Sequence, residues 1–426
     1  MFISSDPSTF VVAEGHHRPP VGLLSSDPST FVVAEGHHRP PVGLLLGTNA
    51  KYKFKPEKVD PETGEVTGFD PMATKVQRFI LQAAARSLFD NGASRLNKCL
   101  RLRAAHQDVQ VWKSIEHRTT HYMGLQTCGS VWICPVCSAK IAERRRLEII
   151  KAMDAHKEAH GCVNLLTLTA PHQKTDNLTD LLAKQATALN LFWSDRVVKG
   201  ILSEIGTIGQ IRALELTHGR LSLQNHGWHP HYHVLMFQGV GVDLARFDQA
   251  QMTDFQVRLY LRWAARCVAA GLGKPSYAHG LKFDDGSQAA KYVSKWGLED
   301  EMTKGHTKKA LHGETPFDFL RAIVANKDDK QAAALFIEFG KAFKGKRQLH
   351  WSKGLKKRYA VTDKTDEVLS AETDDKARLL GLITLDQWRD VLAVDGRGVV
   401  LSVAASGGWE SVAVYLEQIK GSALSK

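Results

Sequence analysis

Three histidines alternate in the run GWHPHYHVLMF, at positions 229, 231 and 233. In a β-strand alternate side chains share a face, so His231 and His233 point the same way while Tyr232 and Val234 turn towards a core. Two neutral imidazoles on one face make a divalent-metal site. Burying two such polar rings without partners is costly, which argues against a packing role alone. A third ligand is expected from a neighbouring strand. Glu215 is the only charge in ALELT, and a carboxylate in an apolar strand is expensive unless a cation offsets it. A hard oxygen ligand favours Mg2+ or Mn2+. His229 is a rival for the third place and His218 a weaker one.

A second group surrounds Tyr292, in QAAKYVSKW. On a helix Lys295 and Gln288 share the tyrosine's face, and Lys291 adjoins it. A tyrosine nucleophile must lose a proton from a group whose reference pKa is about 10, and a nearby ammonium or a metal-polarised phosphate favours that loss. In isolation, a half-buried tyrosine beside two solvated lysines is the commoner arrangement. Tyr292 gains weight by following the histidine strand within one αβ unit.

The third group is cysteine. Cys128, Cys134 and Cys137 lie in TCGSVWICPVC, with Cys99 upstream. The short CPVC spacing lets two thiolates share one ion, and four cysteines complete a tetrahedral Zn2+ site. His117 or His121 could replace Cys99. Cys162, in an apolar strand, and Cys267, in a helix, read as small buried hydrophobes.

These groups need elements to hold them. The strand CVNLLTLTA leads through Pro171 to a helix with Leu178, Leu181, Leu182, Leu189 and Phe192 at helical spacing, which Asp176 could cap. Strands at 211–217 and 231–237, a helix over about 247–270, a short strand near 279–284 and the Tyr292 helix follow. The order β-α-β-β-α-β-α predicts an α+β fold with an antiparallel sheet flanked by helices. Upstream lie a helix near 73–90 and a basic helix after the cysteines. The domain organisation read from this is a duplicated, disordered tail at 1–50, a helical and cysteine-rich segment at 51–150, a catalytic domain at 151–340, and a basic segment with a small acidic module at 341–426. The tail contains SSDPSTFVVAEGHHRPPVGLL twice, at 4–24 and 25–45, without one difference. Such identity points to a recent duplication in the DNA, and two copies are too few for a solenoid.

Lys and Arg outnumber Asp and Glu by 56 to 45, a net charge of +11. That excess favours a polyanionic partner. The stretch KAFKGKRQLHWSKGLKKR, at 341–358, has no acid. Lys346, Arg347, Lys353, Lys356, Lys357 and Arg358 are candidate phosphate contacts, joined by Lys341, Lys344 and the 140–151 helix, and Trp351 could stack on an exposed base. No apolar run of about 20 residues is evident and no secretory signal opens the chain, so a cytoplasmic protein with reduced thiols is expected.

Taken together, these motifs resemble the rolling-circle plasmid Rep proteins of the HUH endonuclease superfamily, over roughly residues 96–358. LLTLTAPH at 165–172 is similar to the family's first, architectural motif. HPHYHVL resembles its paired-histidine motif, which implies His231 and His233 as metal ligands, and LELT implies Glu215 as the third. KYVSK resembles the catalytic tyrosine motif, which implies Tyr292 as nucleophile with Lys295 beside it. CGSVWICPVCSAKIAERR and HWSKGLKKR also resemble family segments. One departure stands out: some relatives carry a glutamate four residues before the tyrosine, implied to activate water at termination, and here Gln288 occupies that place. Asp284 or Asp285 could take over. The resemblance implies an HUH-like sheet, nicking of one origin strand through a 5′-phosphotyrosyl link that frees a 3′-hydroxyl primer, and host helicase and DNA polymerase as partners. No GxxxxGK[ST] loop is present. Competing readings are an HUH transposase or relaxase, a zinc-containing DNA-binding regulator without catalysis, and a histidine-triad hydrolase, the last disfavoured by Pro230.

Overall fold

Five strands form the central sheet: β3 (Cys162–Thr169), β4 (Thr207–His218), β5 (Trp228–Gln238), β6 (Leu281–Asp284) and β7 (Leu349–Trp351), in the order β6-β3-β5-β4-β7, with every pairing antiparallel. This computed structural model describes residues 58–59, 66–67, 71–89, 94–115, 119–222, 225–239, 252–294, 313–372 and 376–424. The duplicated segment, His117 and Lys295 lie outside the described residues.

The strands are apolar on both faces because helices cover both. On one face Leu166, Leu168, Val234 and Met236 pack against Leu181, Leu182, Leu189 and Phe192 of α3 (Leu178–Ser194) and Leu259 and Trp263 of α5 (Asp254–Ala269). Tyr232 and Val234 join this core, as the alternation required. Burying each Leu or Phe side chain contributes about 1.5–3 kcal/mol. The opposite face divides along its length. One end carries Val163, Leu165, Ile211, Ala213, Leu235 and Phe237, covered by Ile149 and Ala152 of α2 (Pro135–Glu158) and by Ala289 and Val293 of α6 (Gly286–Ser294). Thr167, Thr169, Glu215, His229, His231 and His233 continue the same face beyond that apolar patch.

Pro230 is tolerated in β5 because β3 ends opposite His231, so only β4 pairs with the strand at that point. Helix α3 is capped by Asn177, whose side chain accepts from the amides of Thr179 and Asp180; Asp176, the expected cap, instead accepts from the Gln173 amide.

A second antiparallel sheet joins distant parts of the chain. Its order is β8-β1-β2, from Ala377–Ile383, Val109–Ser114 and Thr120–Met123. It packs with α11 (Leu385–Ala393) and α12 (Arg397–Gln418) around Val111, Ile383, Trp388 and Val400. Helix α12 is long and apolar enough to cross a membrane, yet a non-helical Gly408 (φ 68°) interrupts it and half of its apolar stretch is buried in this core. It reads as a core helix. The fold is α+β, with antiparallel sheets flanked by helices.

Candidate metal centres and active site

Glu215 pairs directly with His231 across β4 and β5, and His233 lies two residues on. Their facing donor atoms, one carboxylate oxygen and two imidazole nitrogens, lie within 4.8 Å of one another and could hold a metal ion. Glu215 Oε2 is 3.4 Å from His231 Nε2 and 3.5 Å from His233 Nε2. Both rings are anchored from behind. His231 Nδ1 lies 3.3 Å from the His229 carbonyl, which can only accept, so Nδ1 carries a proton and Nε2 is the nitrogen turned to Glu215. His233 Nδ1 lies 3.0 Å from Thr167 Oγ1, from the paired position of β3. Such partners fix the ring and raise the ligand's basicity.

Tyr292 completes the group. The Asp285 carboxylate accepts from the Ser287 amide at the start of α6, and Ala289 and Val293 seat that helix on the sheet. Tyr292 then projects over the polar end of the face. Its hydroxyl donates to Glu215 Oε1 at 2.6 Å, and its ring centroid lies 4.6 Å from that of His233. One carboxylate thus faces the histidines with one oxygen and the phenol with the other.

The electrostatics follow. Desolvation works to raise the Glu215 carboxyl, but the hydrogen bond from His231, the fields of both histidines and the Tyr292 hydroxyl overcome it and hold it at about 2. His233 is lowered, chiefly by desolvation. Desolvation also works to lower His231, but Glu215 outweighs it and raises the ring above 6.5. A proton on His231 Nε2 must leave before the ring can ligate. Mn2+ affinity, followed by calorimetry, should therefore fall as pH drops from about 8 to about 6. Equal affinity at both would show that His231 is not a ligand.

His229 shares the face but is not in the donor group. Its Nδ1 lies 2.5 Å from Nε2 of His172, whose own Nδ1 lies 3.0 Å from the His226 carbonyl. Gly227, at φ 73°, lets this turn approach Lys174, where a side chain would collide with backbone. His218, the weaker rival, is buried between Trp228 and Phe319. Asp284 ion-pairs with Lys282, and Gln288 is exposed on α6.

The four cysteines form a second group, all buried, with their sulfurs within 4.8 Å of one another. Cys99 Sγ is 3.4 Å from Cys137 and 3.8 Å from Cys134, and Cys128 is 3.6 Å from Cys137. The edge of a tetrahedron with bonds of about 2.3 Å to zinc is about 3.8 Å, so the donors fit one ion. Thiol–thiol hydrogen bonds from Cys134, Cys137 and Cys99, then burial, push the Cys128 thiol far up, and a bound cation would reverse this. Cys99 is the fourth member of the group and His121 is not in it, while His117 lies outside the described residues. Cys134 also caps α2 with Pro135 in its first turn, so the positive end of the helix faces the sulfurs.

Sequence reasoning missed the residues behind this group. Gln82 donates to Cys134 Sγ at 3.2 Å and accepts from Arg397 Nη1 at 2.7 Å. Arg397 is fully buried, also donates to the carbonyls of Cys99 and Leu100, and pairs with Asp395 at 2.9 Å. A lone arginine in the apolar run GRGVVLSVAA was the available signal. Purified protein should carry about one tightly held zinc per chain, and Cys134→Ser should lower that content and open residues 96–150 to protease. Unchanged zinc in the mutant would refute ligation by Cys134.

Of the expected DNA contacts, Lys346, Arg347, Trp351, Lys353, Lys356 and Lys357 line one cleft, and Arg358 is exposed outside its lining. Lys356 is committed to Asp363 at 2.7 Å and sits 5.5 Å over the Trp351 ring, so one face of that ring is covered.

Residues 122–251 match the model of a family described as a replication protein. The match spans Cys128, Cys134, Cys137, Glu215, His231 and His233 and stops before Tyr292. The chain is 27% identical over 342 residues to a Streptomyces lividans protein named Protein rep, covering 64% of this chain and 74% of that protein. It is 33% identical over 151 residues to a Streptomyces cyanogenus protein named Neomycin resistance protein, covering 30% of this chain and 34% of that one. No solved structure matches. The resemblance to the plasmid Rep proteins is borne out by the family match and the first of these relatives.

Proposed function

We propose that this relative of the Rep replication proteins is a rolling-circle plasmid replication initiator that binds its origin and nicks one DNA strand with Tyr292. The observation that carries the reading is the contact between the Tyr292 hydroxyl and Glu215, beside the two histidines that share Glu215 as a neighbour. A phenol held against a group that could bind a metal is the arrangement phosphoryl transfer to tyrosine requires.

Glu215, His231 and His233 would hold Mg2+ or Mn2+, which neutralises charge on the scissile phosphate when bound. Tyr292 Oη attacks phosphorus and its proton leaves to solvent, with Glu215 Oε1 orienting the hydroxyl beforehand. The bond from phosphorus to the 3′-oxygen breaks, and that oxygen takes a proton from solvent. The products are a 5′-phosphotyrosyl link and a free 3′-hydroxyl, the primer end that a polymerase extends. The link conserves the phosphodiester energy, so the strand can be rejoined without ATP. The target must be single-stranded or extruded, because the phosphate has to reach the sheet surface beside α6. The sheet arrangement supports an HUH-like fold, and the expected role of Lys295 beside the nucleophile falls on a residue outside the described ones. Zn2+ at the cysteines would brace the start of α2. Host helicase and polymerase would act downstream, in the bacterial cytoplasm. Nicking of supercoiled plasmid carrying its own origin tests the reading; a regulator without catalysis would bind the plasmid and leave it closed.

A further inference from the structure

A large cleft among the described residues borders the cysteine group at Cys128 and extends from there along the basic stretch. It has a volume of about 1380 Å³ and runs between the cysteine knuckle, at Cys128–Ile133, and the chain from Gly340 to Glu367. Its acids are matched: Asp363 with Lys356, Asp366 with Arg145 and Glu367 with Arg95. Lys341, Lys344, Lys346, Arg347, Lys353 and Lys357 also line it, and none of these six pairs with a carboxylate among the described residues. Five are exposed and Lys346 is half-buried. The cleft therefore presents six uncompensated positive charges to solvent.

Its tryptophans are already engaged. Trp132 donates to the Lys346 carbonyl at 2.8 Å and packs edge-on against Phe343, at a centroid distance of 4.6 Å. Trp351 has the Lys356 ammonium over its ring. Grooves for single strands combine cations with aromatic faces on which bases stack. This cleft sets six unpaired cations against a packed Trp132 and a Trp351 with one face covered, a balance that suits phosphates of a duplex whose bases stay paired. It is also near the polar face: Trp351 pairs with Ile211, and Glu215 lies four residues further along β4. At the usual strand rise and spacing that separation is about 14 Å, roughly four base-pair steps.

We infer that this cleft holds the sugar–phosphate backbone of double-stranded DNA, the duplex arm beside the strand to be nicked. The inference rests on the proposed nicking function, but its readout is binding and stands whatever residue is the nucleophile. The experiment compares the parent with the triple variant Lys344→Ala, Lys346→Ala, Lys353→Ala, using fluorescence anisotropy over a KCl series. The probes are a short duplex of arbitrary sequence and one of its strands alone. The expected result is a fall of about 2.7 in the slope of log affinity against log salt for the duplex, from three lost phosphate contacts, with little change for the single strand. An unchanged duplex slope would overturn the inference. So would an equal or larger loss on the single strand, which would make the cleft a single-strand channel. Unchanged zinc content and circular dichroism would establish that the variant is folded.

Discussion

Tyr292→Phe should abolish the covalent protein–DNA adduct, by at least about four orders of magnitude, while the protein still folds and binds DNA. The substitution removes one oxygen and the 2.6 Å hydrogen bond to Glu215. The ring keeps its place over His233, since Ala289 and Val293, not the hydroxyl, seat α6. The group is half-buried and Glu215 retains its histidine neighbours, so the stability cost should be about 1 kcal/mol. Denaturing electrophoresis of protein incubated with labelled single-stranded origin DNA reads the adduct. An adduct formed at the parental rate would remove Tyr292 from the chemistry.

His231→Ala should eliminate nicking by another route. It takes away one of three donors and the neighbour that most strongly holds Glu215 ionised. Replacing a residue that only orients a ligand typically costs 10–100-fold in metal affinity, so losing the ligand itself should exceed about 100-fold. Thr167→Val supplies the intermediate case. It deletes the hydroxyl 3.0 Å from His233 Nδ1 and should weaken Mn2+ binding by about 10–100-fold. EDTA should stop the parent, with Mg2+ or Mn2+ restoring it. Cleavage by fully metal-free protein would dissolve the reading of Glu215, His231 and His233 as a metal site.

How much of this was legible follows from the range of each interaction. The shared face of His231 and His233 is a local consequence of strand alternation, and Glu215 stood out because a charge in an apolar strand needs a reason. The burial of Tyr232 and Val234 came from the same periodicity. Thr167 was hidden, because its link to His233 depends on cross-strand register rather than on spacing within a strand. Asp176 and Asn177 are both good caps, and sequence alone does not separate adjacent candidates. Arg397 reaches Gln82 across more than three hundred residues, and β8 joins β1 from the far end of the chain. No local pattern encodes such pairings. The acid-free 341–358 stretch announced its charge, but Trp351's engagement by Lys356 appeared only with the fold.

The most direct measurement is the site of covalent attachment in the unaltered protein. The protein is incubated with Mn2+ and single-stranded DNA from its own plasmid origin, digested with protease and nuclease, and the nucleotide-linked peptide is identified by mass spectrometry. The expected result is a 5′-phosphate on Tyr292 and a 3′-hydroxyl on the released fragment that a polymerase extends. Attachment at any other residue, or cleavage that leaves a free 5′-phosphate and no bound protein, would contradict it.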